Sequence, residues 1–228
     1  MEEPERPNPQ VKDGLRRRVP AHLGAAVFFT VVAAWLTWPL FIHMGTSLNL
    51  SADSLLNYWA LAWNFHILPR DPFSLFDANI FFPRMDTLAY SEHLFGVALI
   101  SAPAYLLSGN SLFAYNFALL ASFVLSGFGM YLLVHELTGS RWAGLFAGTV
   151  YMAAPYRFGH LLHVQLLSAQ WFPFVFLYLY RFLRDGRPRQ AAAAAIFALL
   201  QVLSCNYYAV YLALALTLFG IVLLAFSL

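Results

Sequence analysis

Few side chains in this sequence are equipped for chemistry, and they gather in three short stretches between long apolar runs. In the first stretch Asp53 follows Ala52. It opens Ser54–Leu68, where Trp59, Trp63 and Phe65 are mixed with Leu55, Leu56, Leu61 and Ile67. This pattern predicts an amphipathic helix lying at a membrane surface, with Ser54 or Asp53 as the N-cap that accepts free first-turn N–H groups. Further on, Ser91-Glu92-His93 precedes the apolar run Leu94–Leu107. There Ser91 would cap a helix and Glu92 would favour its positive first turn. Equally, a carboxylate at the membrane surface beside aromatic side chains suits a general base or a cation ligand. Between them, Asp77, Asn79 and Asp86 stand among prolines and read as turn formers.

The second stretch, Pro155–Gln165, holds Arg157, His160 and His163 where the chain re-enters an apolar run. Ionisable groups are costly there, which marks them as functional candidates. A guanidinium suits a phosphate, which its planar fork binds bidentately, and it also suits snorkelling to headgroups. A spacing of three would place His160 and His163 on one helical face, but two histidines are weak evidence for zinc. The third stretch is Asn206-Tyr207-Tyr208, where tyrosines also suit an interfacial belt. No Gly-rich phosphate loop, nucleophile elbow, CxxC pair or H-E-x-x-H is present.

The rest of the chain must position these groups in lipid. Of 228 residues, 61% are hydrophobic and 11% charged, against about 25% charged in a soluble domain. One water-soluble core cannot hide that much apolar surface. A net charge of +2 does not suggest a nucleic-acid partner, and the single Cys205 implies no disulfide framework. The apolar segments are Leu23–Ile42, Ser111–Val134, Trp142–Tyr156, Val164–Tyr180, Ala191–Cys205 and Tyr208–Leu228, with Leu94–Leu107 ambiguous because it is short and contains Pro103. Leu23–Ile42 is too long for a signal-peptide core and reads as a retained span.

Basic residues settle the topology. With Leu94–Leu107 spanning, Lys and Arg divide six inside and seven outside; without it, they divide ten and three. The positive-inside rule favours the second arrangement. The expected fold is therefore all-α: a polytopic bundle of about six spans with its N-terminus inside. Residues 1–19 form a cytoplasmic basic tail, 20–228 form the transmembrane domain, and a long outer loop over about 43–110 carries interfacial helices. This topology puts Asp53, Glu92, Arg157, His160, His163 and Asn206 on the outer face. The absence of a polar tail after Tyr208–Leu228 predicts a longer parent protein.

A family resemblance enters here. Ala52-Asp53, Phe76-Asp77-Ala78-Asn79-Ile80-Phe81-Phe82-Pro83, Tyr115-Asn116, Leu137-Thr138-Gly139 and Pro155-Tyr156-Arg157 are similar to phrases in the GT-C-fold membrane glycosyltransferases. The likeness is to a bacterial group related to dolichyl-phosphomannose-dependent mannosyltransferases, and it covers most of residues 20–228. The first-loop motif departs from that pattern, being a lone Asp after Ala and not a D-x-D or E-D pair. The resemblance implies transfer of a sugar from a polyprenyl-phosphate donor to a glycan, lipid or protein acceptor, on the outer face of a bacterial inner membrane. It implies Asp53 as the catalytic acidic residue and Glu92 as a second one. Arg157, His160 and His163 would hold the donor phosphate, with Trp59, Asn206 and Tyr207 also contacting substrate. No metal-ligand set is expected, and a divalent cation is the one cofactor left open. The alternative is a non-enzymatic protein, such as a transporter or flippase component for lipid-linked glycans. Span middles almost free of charge weigh against it.

Overall fold

The computed structural model describes residues 9–49 and 51–227, with side chains from Ala21 to Phe226 apart from residue 50. The expected basic tail lies partly outside the described residues, and its side chains lie wholly outside them. The described chain is all-helical: α1 Pro9–Leu36, α2 Ala52–Ile67, α3 Phe95–Ser108, α4 Ser111–Thr138, α5 Arg141–Met152, α6 Pro155–Gly159, α7 Val164–Leu167, α8 Trp171–Asp185, α9 Pro188–Ser204 and α10 Asn206–Ser227. No strand occurs among the described residues. Three helical stretches there are long and apolar enough to cross a membrane: Ser111–Thr138, Val164–Asp185 and Asn206–Phe226. Ala21–Leu36 and Phe95–Ser108 are shorter apolar helices.

Six helices alternate in direction. α1 and α4 are antiparallel, because His22 Nδ1 and the Tyr131 hydroxyl share a hydrogen bond (3.2 Å) near one end. Near the other end, Asn116 Nδ2 donates to the Met44 and Ser47 carbonyls (both 2.8 Å). α4 and α5 pack closely through Gly127 and Gly148; a Cβ on Gly148 would overlap the Gly127 carbonyl and the Phe29 ring. α8 runs parallel to α4, with Phe174 against Gly129 and Arg181 on Glu136. α9 returns along α8, and Gln201 Nε2 donates to the Ser168 carbonyl (2.7 Å). α10 then follows the direction of α8, with Tyr208 by Phe172 and Phe219 by Phe176.

One end of this bundle carries Arg141, Arg181 and Arg184. Residues 37–110 leave and return at the other end, where Asn110 Nδ2 donates to the Gly45 carbonyl (3.0 Å). There α2 packs on α3 through Phe65 stacked on Tyr105 (centroids 4.2 Å), and α2 also packs on α4. Gly96 of α3 sits against Ser204 at the end of α9, too close for any side chain.

Helix ends differ from the sequence expectation where side chains cap them. α1 stops at Leu36, and residues 37–49 turn through a short 3-10 segment, so the apolar run to Ile42 is not one helix. Val164–Tyr180 is broken over Ser168–Gln170, and α8 continues to Asp185. Ser51 caps α2, not Asp53 or Ser54: Ser51 Oγ accepts Ser54 N–H (3.1 Å) and Ser54 Oγ accepts Ser51 N–H (2.9 Å). α3 begins after Leu94 in the left-handed conformation, and its Phe95 N–H is taken by His93 Nδ1 (3.0 Å), not by Ser91.

Candidate functional site

Because Ser51 supplies the α2 cap, the carboxylate of Asp53 is released from that duty and stays exposed in the first turn. Its Oδ2 lies 3.1 Å from His163 Nε2, 110 residues away in sequence. α2 is held to the same turn by Asn57 Nδ2, which donates to the Leu162 carbonyl (3.4 Å). The His160 ring stands edge-on to His163 (5.5 Å) and close to Tyr156 (4.3 Å). His160 ends α6 and His163 precedes α7, so the two histidines meet across a turn and not along one helical face.

A cavity of about 410 Å³ lies between the end of α1 and the starts of α2 and α4. Ser54 and Leu161, chain neighbours of the Asp53–His163 contact, form part of its wall, with Trp38, His43, Tyr115 and Asn116. Tyr115 belongs to this wall, and its buried hydroxyl has no hydrogen-bond partner among the described residues. Tyr115 and Asn116 were legible as a phrase but not as site residues, since an apolar helix gives no local sign of which side chains face a cavity.

Glu92 is elsewhere at the same end. Both its oxygens accept the Asn206 N–H (3.1 and 3.0 Å), and the Cys205 thiol points at Oε1 (3.8 Å). It serves a helix N-terminus, as the sequence suggested, but the helix is α10 and not α3. Burial raises its pKa above the ordinary value, against the hydrogen bonds from Asn206 and Cys205. Burial also lowers the pKa of His93, favouring the neutral imidazole that accepts the Phe95 N–H.

Arg157 is turned into the bundle and is 4% exposed. Nη1 donates to Ser126 Oγ (3.2 Å) and to the Leu167 carbonyl (3.0 Å), and Nη2 donates to Ser122 Oγ (3.0 Å). The guanidinium also lies over Phe123 (4.3 Å). Ser122 and Ser126 occupy the middle of α4, one turn apart, a spacing visible in the sequence once a partner is known. In this arrangement Arg157 offers no open face to a phosphate. Trp59 is half-buried and stacks on Trp63 (6.5 Å), while Asn206 and Tyr207 are exposed at the start of α10. None of the three lines the cavity.

Of the sequence-derived residues, the structure thus joins Asp53 with His163 and His160, and Glu92 with Asn206. Among the described residues, no three His, Cys, Asp or Glu side chains cluster to hold a metal ion. No family model, curated protein or solved structure matches the chain. Asp53 is an accessible carboxylate with one oxygen oriented by an imidazole and the other open, beside a cavity large enough for a small polar group. That arrangement is equipped for proton abstraction from a hydroxyl.

Proposed function

We propose that this chain is a membrane glycosyltransferase that takes a sugar from a polyprenyl-phosphate donor and attaches it to an acceptor on the outer face. In this reading the six alternating helices are spans with the N-terminus inside, and residues 43–110 form the outer loop. The observation that carries the reading is the exposed Asp53 carboxylate, hydrogen-bonded to His163 beside the 410 Å³ cavity. Asp53 removes the proton of an acceptor hydroxyl, the resulting oxygen attacks the anomeric carbon, and the bond to the phosphate oxygen breaks. Polyprenyl phosphate leaves with the electron pair, its tail still in the bilayer. His163 orients the Asp53 carboxylate through Nε2, His160 beside it is left to meet that phosphate at headgroup level, and Arg157 fixes the turn that carries both histidines.

The test is transfer from polyprenyl phosphate carrying a tritiated hexose, in membranes containing the full-length protein. Asp53→Asn should abolish incorporation while membrane insertion stays intact; undiminished incorporation would sink the assignment.

One observation favours the runner-up, a transporter or flippase component. Arg157 is a buried cation beside the middle of α4, where the chain is broken between α5 and α8. Charged groups at broken helices mark substrate pathways in transporters. Movement of a fluorescent lipid-linked glycan across proteoliposomes, without sugar transfer, would select that reading.

A further inference from the structure

We propose that the end of the bundle opposite Asp53 carries a second binding site, for the headgroup of an anionic phospholipid. The site is a cavity of about 350 Å³ bounded by Gly24, Phe28, Tyr131, Arg141, Trp142 and Leu145. Arg141 is the first residue of α5 and makes no ion pair or side-chain hydrogen bond among the described residues. Its basic neighbours at this end are different: Arg181 and Arg184 are bonded to Glu136, and Arg184 also to Asp185. A cation at the N-terminus of a helix adds to the positive end of the helix dipole, an arrangement that calls for an external anion. The guanidinium is the group best shaped to bind a phosphate there.

The walls identify what the phosphate is attached to. Phe28, Trp142 and Leu145 are apolar, and Phe28 and Trp142 are exposed beside the cavity. Gly24 leaves the slot open, since a Cβ added there meets no atom within 4 Å. The Tyr131 hydroxyl is already engaged by His22, so its ring offers the cavity an apolar surface. A free phosphate would leave these walls uncovered, whereas a phospholipid fills them with its acyl chain while its headgroup meets Arg141. Anionic lipid is favoured over zwitterionic by the attraction of Arg141, which is unpaired among the described residues.

The full-length protein, delipidated in detergent, can be titrated with dioleoyl phosphatidylglycerol, dioleoyl phosphatidylcholine or inorganic phosphate, and bound lipid counted by native mass spectrometry. Wild type should hold phosphatidylglycerol more tightly than phosphatidylcholine. Arg141→Gln should weaken phosphatidylglycerol about fivefold and leave phosphatidylcholine unchanged. Gly24→Leu, a helix-favouring change that fills the slot, should weaken both lipids. Equal phosphatidylglycerol binding by wild type and Arg141→Gln would overturn the proposal. So would displacement of phosphatidylglycerol by inorganic phosphate at matched concentration, which would make the site one for the free ion.

Discussion

Glu92 and Asn206 form a helix cap across 114 residues: both oxygens of the loop carboxylate take the first N–H of α10. The contact ties the segment before α3 to the last helix, and it does so with a side chain that burial makes harder to ionise. A proton is therefore held more tightly by folded Glu92 than by unfolded Glu92, whose ordinary value is 4.5. The group's contribution to stability is greatest at low pH and declines as pH rises from about that value through the raised one.

Glu92→Gln keeps an acceptor for Asn206 and has no charge to desolvate. In detergent, its unfolding midpoint should rise relative to wild type as pH goes from about 4 to 8. Glu92→Ala loses the acceptor and should be destabilised at every pH, by about 1 kcal/mol as for a lost cap. Identical pH profiles for wild type and Glu92→Gln would show that the carboxyl does not titrate differently in the fold.

The Asp53–His163 pair should matter for activity more than for stability. Asp53 is 62% exposed at its side chain and His163 27%, so solvent screens the pair, and its loss should cost no more than about 1 kcal/mol. Under the proposed function, loss of Asp53 as base should lower the transfer rate by about 10²–10⁴-fold. His163→Gln should lower it less, with a shifted pH–rate profile, because the carboxylate remains but its orientation is loosened. Steady-state transfer rates across pH would read both.

Arg157 makes the opposite prediction. Its substitution by Ala takes from Ser126 Oγ its partner, removes one of two bonds at the Leu167 carbonyl and at Ser122 Oγ, and leaves a void beside Phe123, which should cost about 2 kcal/mol or more. Arg157→Met, which fills the volume with no charge to bury, should be the milder change. Arg157→Lys should not restore wild-type stability, because a point ammonium cannot reproduce the planar fork. Guanidine-free denaturation, for example by SDS titration in mixed micelles, would rank the three.

The proposed topology predicts opposite labelling of two exposed positions, Leu107 at the end of α3 and Arg187 between α8 and α9. Leu107→Cys should react with a membrane-impermeant maleimide added outside intact cells, and Arg187→Cys only after permeabilisation. The native Cys205 is buried and contributes little background. Labelling of Leu107→Cys from the inside alone would reverse the assignment of the 37–110 segment.

The helices of this protein are largely legible in its sequence, because an apolar helix satisfies its own backbone within a contiguous run. Thus the apolar segments became α4, α5, α9 and α10 with shifts of a few residues at their ends, and Leu94–Leu107 became α3 within one residue, whereas Val164–Tyr180 was split into α7 and α8 and Leu23–Ile42 stayed helical only to Leu36. Asp53, Glu92 and the 155–165 stretch stood out because polar groups are rare in such a chain. Which partner each would take was not legible. Ser51 relieved Asp53 of capping, Glu92 reached α10 and not the helix beside it, and Arg157 turned inward to Ser122 and Ser126. The last two outcomes depend on contacts across 31 to 114 residues, set by how glycines and aromatic rings let the helices approach. The same uniform apolarity that announces each helix carries almost no information about its neighbours, so only the tertiary structure brought Asp53 to His163 at the edge of a cavity.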